Sequence, residues 1–424
     1  MLDRHVDGSS SPADATGRVA IKTGIALAVY DDLSAVEADW RAFERTADGT
    51  VFQAFDWLET WHRHIGQRTG VCPVIVVGRR VDGEMLFLLP LAVLPGLVRR
   101  LSFLGRELCD YNAPLLAPEF SGQVTPEQFI ALWQEIRELL MSHPRHRHDM
   151  VELTKMPDMV GAQRNPMLAL EVGLNPSGAH LTELQASWDE FYQAKRSSAT
   201  RRRDRTKRKK LGEFGAVAFV TPAEPDEIAK TFETLIEQKA KAFARMGVGN
   251  IFAREGCRAF FLDVATNPRT RHLTHVSRLD VGAIPAAVNL GLTFRGTYYH
   301  VLASYDDGEV SRYGPGAAHL RDLLSHAITL GCRRFDFTIG DERYKLEWSD
   351  RRVDLYDHVA GATARGSALA VLMLARQRLV RTIKQNALLW RTFSALRATL
   401  GGRRTGGEDA PPAKDGKAPS IVPE

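Results

Sequence analysis

Long hydrophobic runs are missing from this 424-residue sequence: the longest apolar stretch, Met85 to Val98, is interrupted by Pro90, Pro95 and Gly96. It falls short of the roughly 20 residues a bilayer-spanning helix requires, so no transmembrane segment is expected. Cysteine is scarce as well. The four present, Cys72, Cys109, Cys257 and Cys332, lie far apart and form no C-x-x-C pair, which argues against a disulfide framework or zinc knuckle and fits a reducing cytosol. The first residues, Met1 to Arg18, are rich in Ser, Asp, Gly and Ala and lack the apolar core of a signal peptide, so a cytoplasmic location is expected. No nucleophile elbow, Walker loop or dinucleotide fingerprint stands in a convincing context. The histidines of the run His143 to His148 match no common zinc spacing; they read as an exposed loop, and no metal is expected.

What is present describes a globular protein. Hydrophobic residues make up 44% of the chain, and its length exceeds what one core usually supports, so two domains are expected. The net charge is only +5, yet basicity is local. Lys195 to Lys210 holds ten Lys and Arg residues against the single acid Asp204, and His358 to Arg404 contains no Asp or Glu. The first run sits on a helical pattern without interleaved aromatics, so it is either a solvated face or the seat of an anionic partner. The second, from about Gly366 to Leu400, reads as a basic amphipathic helix that packs on the domains or lies against the inner membrane face.

Patterning alternates between strand and helix in both halves. Expected in the first half are a strand at Ile25 to Tyr30, a helix from Leu33 to Thr46, and a helix carrying Trp57, Leu58 and Trp61. They are followed by a hairpin of Pro73 to Arg80 with Glu84 to Leu94 around Asp82-Gly83, a helix over Gln128 to Met141 and a strand from Met150. The second half repeats the theme: a long helical region from Ser187 to Leu211, a strand at Ala216 to Val220, helices at Pro225 to Phe243 and Cys257 to Ala265, and another hairpin from Ser277. The two hairpins are weakly alike, which suggests internal duplication. A strand at Thr297 to Ser304, a glycine turn at Tyr313 to Gly316, a helix at Ala317 to Leu330 and a strand at Arg334 to Thr338 make a β-loop-α-β crossover, hence parallel neighbouring strands. The resulting reading is an α/β chain: residues 1–21 disordered, a first domain at 22–178, a second at 179–360, a basic helix at 361–400 and a disordered Gly/Pro-rich tail at 401–424.

The segment SRYGPGAAHLRDLLSHAITLGCRRFDFTIGDERYKLEW, from Ser311, is the most informative. Gly314 and Gly316 immediately precede a helix, where free N–H groups and the positive end of the helix dipole suit a pyrophosphate. The order strand, Arg-x-Gly-x-Gly-Ala, helix, strand and then Tyr resembles the coenzyme A core of the GNAT superfamily. That family's loop is usually Gln/Arg-x-x-Gly-x-Gly/Ala, one residue longer between Arg312 and Gly314. Together with FQAFDWLETWHRHIG, CDYNAPLL and RKKLGEFG, the pattern resembles double-domain GNAT acyltransferases associated with cellulose and other polysaccharide biosynthesis, relatives of the Fem-type aminoacyl transferases. The resemblance implies two tandem GNAT-like mixed sheets and transfer of an acyl group, acetyl first, from acetyl-CoA or another acyl-CoA to an amine or hydroxyl of a sugar or envelope precursor.

Residue by residue, the resemblance and the chemistry together assign Arg312, Gly314, Gly316 and Ala317 to the cofactor. Asp336, interrupting the apolar Phe335-Phe337 run where burial would raise its pKa, is the candidate base or acceptor anchor. Tyr344 is the candidate acid for the departing thiol. A backbone N–H of the strand Thr297 to Tyr305 would stabilise the oxyanion. Lys345, Tyr305, Asp110 and Tyr111 are candidate acceptor contacts; Tyr305 and His300 are expected on opposite faces because their separation is odd. Two other functions fit the same residues: an aminoacyl-tRNA-dependent transferase served by the basic run, and a GNAT-like scaffold without catalysis.

Overall fold

The structure is a computed structural model and describes residues 23–385. The expectations for 1–21, 386–400 and 401–424 therefore lie outside the described residues.

In the first half, strand β1 (Ala26–Tyr30) leads to helices α1 (Glu37–Glu44) and α2 (Phe55–Trp61), then to the hairpin β2 (Cys72–Arg79) and β3 (Met85–Leu94). Strand β4 (Arg100–Phe103), short β5 (Leu115–Leu116), helices α3 (Phe120–Gln123) and α4 (Pro126–Ser142) and strand β6 (Met150–Pro157) follow. The small pair β7 (Met159–Val160) and β8 (Gln163–Arg164), then β9 (Gly173–Leu174) and β10 (Ala179–Glu183), lead into the second half. Thr125 caps α4 in a capping box with Gln128, and Pro126 at its first position needs no N–H partner. The second half holds α5 (Trp188–Lys195), α6 (Ser198–Gly212), β11 (Val217–Val220), α7 (Pro225–Met246), α8 (Cys257–Thr266), β12 (Thr274–Val281), β13 (Ile284–Phe294) and β14 (Thr297–Tyr305). It continues with α9 (Pro315–Thr329), β15 (Arg334–Ile339), α10 (Arg343–Trp348), β16 (Arg351–Val353), β17 (Leu355–Gly361) and α11 (Ala364–Gln385).

Two large mixed sheets carry the fold. Their strand orders are β1-β2-β3-β4-β6-β17-β9 and β11-β12-β13-β14-β15-β10-β16. Position for position the pairings agree in sense, antiparallel everywhere except the parallel pairs β4 with β6 and β14 with β15. The chain is thus an α/β protein of two tandem GNAT-like sheets. The halves also exchange strands: β10, placed by sequence at the start of the unit 179–360, pairs with β15 of that unit, whereas β17, placed in the same unit, pairs with β6 of the first sheet. One large apolar cluster spans both halves, with Trp57 edge-on to Phe260 at 4.9 Å. An apolar interface of this kind, tied by exchanged strands, holds the halves in one orientation.

Three local readings are corrected. The long helical region breaks at Arg196–Ser197, because the Ser197 hydroxyl accepts the N–H of Thr200 and starts a new helix. The His143–His148 segment is exposed only in part: Pro144, Arg145 and Arg147 are, whereas His146 and His148 are buried, and burial holds the His146 imidazole down to about 4. The odd-separation rule fails on β14, where the pairs Gly291 with His300 and Leu290 with Leu302 enclose a β-bulge at Val301. The extra residue restores His300 and Tyr305 to one face.

All four cysteines are free. Among the described residues no helix is long and apolar enough to cross a membrane. Helix α11 begins on the first half, where Arg365 donates to Asp149 at 2.7 Å and Thr363 donates to it at 3.0 Å.

Candidate active site

Strands β14 and β15 pair in parallel only at Thr297, Tyr298 and Tyr299 with Arg334, Phe335 and Asp336. Beyond that point they part, and two local features explain why. On β14 the bulge leaves Val301 with no partner in either ladder. On β15 Thr338 adopts φ +58, a left-handed conformation that a β-branched residue avoids. Its N–H turns back to Asp336 Oδ1 at 2.7 Å, and its hydroxyl crosses to the His300 carbonyl at 3.3 Å in place of a ladder bond.

Asp336 stands at the apex of this splay, 6% exposed, on the face turned toward the first half. The Tyr111 hydroxyl, from the first half, donates to it, 2.8 and 2.9 Å from its two oxygens. Tyr111 is held by Phe52 edge-on at 5.9 Å and by the Gln53 amide on its carbonyl at 2.9 Å. Burial pushes the Asp336 carboxyl up to about 7, while the Thr338 N–H and the Tyr111 hydroxyl pull it down by stabilising the anion. Asp110 lies beside Lys155, Lys345 and Thr338, and burial raises its carboxyl too.

At the far end of the splay, α9 starts from Gly314, whose φ of +68 is left-handed. Proline follows at the first helical position, so Gly316 and Ala317 carry the free N–H groups of the first turn. Arg312 is exposed, its guanidinium 5.0 Å from the Tyr313 ring. Helix α6 lies alongside: Arg208 pairs with Asp322 of α9 at 2.8 Å and Arg321 of α9 pairs with Asp204 at 3.3 Å. This docking brings the Lys207 ammonium to 3.8 Å from where a β-carbon on Gly314 would stand. A β-carbon on Gly316 would touch the Tyr305 side chain at 3.4 Å, so Tyr305, 54% exposed, flanks the turn.

The remaining sequence candidates take other positions. Lys345 is buried; its ammonium donates to the Ile339 carbonyl at 2.7 Å and pairs with Glu342 at 3.2 Å, which commits it to closing the chain after β15. Tyr344 is half-buried, edge-on to His300 at 6.2 Å, and burial raises its hydroxyl pKa. The candidates thus fall into two groups, Asp336, Tyr111 and Asp110 at the apex and Arg312, Gly314, Gly316, Ala317 and Tyr305 around the turn at the far end. Sequence reasoning missed Lys207, Thr338 and Arg334. Lys207 was one of ten similar cations, and only its docking on α9 singles it out.

Between the halves, on the Asp336 side, lies a cavity of about 160 Å³ lined by Tyr111, Asp158, Tyr299, Arg334, Asp336 and Arg351 among others. It shares Gly49, Gly161, Thr297, Tyr299 and Arg334 with a neighbouring cavity of about 310 Å³.

Residues 198–346 match the family described as acetyltransferase (GNAT) domain, so the second half carries a domain of that type. No curated protein matches the sequence. Among solved structures, the crystal structure of FemX is similar in fold at 12% identity and a TM-score of 0.50, covering 75% of this chain and 95% of its own. L-PGS from Bacillus licheniformis has 13% identity and a TM-score of 0.46, covering 81% of this chain and 96% of its own. A tandem GNAT protein from the clavulanic acid biosynthesis pathway has 14% identity and a TM-score of 0.43, covering 80% of this chain and 98% of its own.

Proposed function

We propose that the second half transfers an acyl group, acetyl first, from coenzyme A to an amine or hydroxyl of a small or glycan acceptor, such as an envelope or exopolysaccharide precursor. The observation that carries this reading is the opening of β14 from β15 between two unlike ends. One end offers the Gly316 and Ala317 N–H groups with Lys207 and Arg312; the other offers the buried carboxyl of Asp336. The first suits a diphosphate, the second a proton transfer.

Coenzyme A supplies the acyl group as a thioester. The acceptor nitrogen or oxygen bonds to the carbonyl carbon, the carbon–sulfur bond breaks, the acceptor's proton passes to the Asp336 carboxylate, and the thiolate takes a proton from Tyr344 or water. Val301, unpaired at the bulge, offers a backbone N–H to the carbonyl oxygen as charge builds there. Tyr111 fixes the Asp336 carboxylate rather than touching the reacting atoms. Holding both reactants in a splay whose walls are tied across two halves supplies much of the acceleration.

A coenzyme A release assay tests this reading. Rate is expected to rise through about pH 7 as Asp336 loses its proton. A pH-independent rate, or full turnover by Asp336→Asn, contradicts the assignment.

One observation favours a second reading. After Arg208 and Asp204 are spent on α9, helix α6 still presents Arg202, Arg203, Arg205, Lys209 and Lys210 outward. That face suits an aminoacyl-tRNA donor. Nucleic acid retained through low-salt purification and shed at high salt is the expected sign of it.

A further inference from the structure

The cavity between the halves contains three arginines, and their partners differ. Arg295 donates to the carbonyls of Ala47 and Glu44, and Arg351 pairs with Asp158 at 3.0 Å. Arg334 lines both cavities, and its guanidinium has no hydrogen bond or ion pair among the described residues. Asp48, on the opposite wall, accepts from the Gln163 amide at 2.7 Å and forms no ion pair with Arg334.

Arg334 and Asp336 are two residues apart on β15 and share a face, which puts their Cα atoms about 7 Å apart. An acceptor whose nucleophile reaches Asp336 therefore passes Arg334. A guanidinium presents paired N–H donors whose planar geometry matches a carboxylate or phosphate. Resting on the acyl-transfer reading above, we propose that the acceptor is a compact anion. Its carboxylate or phosphate docks on Arg334 at the mouth of the interdomain cavity while its amine or hydroxyl, a few bonds away, meets Asp336. Tyr299 and Tyr111 form the apolar floor between the two contacts, and the first half, through Asp48 to Thr50 and Pro157 to Gly161, supplies the opposite wall. The first half is on this account the lid of the acceptor site, and the cleft excludes bulky folded acceptors.

The test uses the full chain, acetyl-CoA and matched acceptor pairs in a coenzyme A release assay: glucosamine 6-phosphate against glucosamine, and β-alanine against its amide. In at least one pair the anionic member is expected to be favoured about tenfold in kcat/KM, through KM. The two arms distinguish phosphate from carboxylate. Arg334→Gln is expected to abolish the preference and Arg334→Lys to keep part of it, both with unchanged acetyl-CoA affinity. Equal turnover within both pairs, a preference that survives Arg334→Gln, or no turnover of either anion while acetyl-CoA binds overturns the proposal. Failure of wild-type protein to bind acetyl-CoA contradicts the acyl-transfer reading instead.

Discussion

The two sheets have the same strand order and the same parallel pair at the centre, yet they treat the gap beyond that pair differently. In the first half β4 and β6 pair at Arg100 with Met150 and Leu101 with Val151, then part, and the chain's own loop fills the opening. Asn112 bonds the Thr154 carbonyl through its side chain and the Lys155 carbonyl through its N–H, and the Lys155 ammonium, on a residue at φ +57, bonds the carbonyls of Glu107 and Cys109. In the second half the equivalent opening is bordered by a glycine turn, Lys207 and Asp336. One architecture has thus been used twice, once closed by a loop and once, on the reading proposed above, open to a ligand. The sealing loop does more than close a gap, because its next residue, Tyr111, reaches Asp336 in the other half.

Several measurements sharpen or break that contrast. The largest effect is expected from Asp336→Asn, which lowers kcat by at least about 100-fold if the carboxylate takes the acceptor's proton. Next comes acid lability. Burial holds His275, His300 and His319 down to about 3 in the second half, so their contribution to stability is complete above the ordinary histidine range near 6.5 and is lost as pH falls toward about 3. Proteolysis with mass-spectrometric readout at pH 7 and pH 5 should find the second sheet opening more readily at pH 5; opening unchanged between the two contradicts this. Smaller is the effect of Tyr111→Phe. Removing a donor that stabilises the charged carboxylate raises the Asp336 pKa, so the midpoint of the rate profile moves to alkaline pH, whereas a merely structural role leaves the midpoint in place. Smallest is Gly314→Ala, which forces a β-carbon into a left-handed turn and costs about 1 kcal/mol of stability, measured by denaturant unfolding.

Much of the frame was legible from periodicity and turn chemistry. The hairpin around Asp82-Gly83, the helix beginning at Pro225 and the crossover through α9 stand within a few residues of where their patterns put them. Asp336 was legible too, as a polar residue inside an apolar strand. What was not legible is non-local. The return of β17 to the first sheet leaves no trace in its composition, since it reads as a strand whichever partner it takes. The bulge at Val301 reverses a two-residue period that sequence alone treats as fixed. The bond from Tyr111 to Asp336 spans 225 positions, and no local pattern announces it. Arg334 is one arginine among many until the cavity shows that its neighbours are already paired.

On the proposed reading the second splay takes an acyl-CoA and the first does not. Calorimetric titration of the full chain with acetyl-CoA measures this directly. One site per chain is expected, weakened about tenfold by either Lys207→Ala or Arg312→Ala and untouched by Lys155→Ala. Two sites per chain, no binding, or a site indifferent to Lys207 and Arg312 contradicts it.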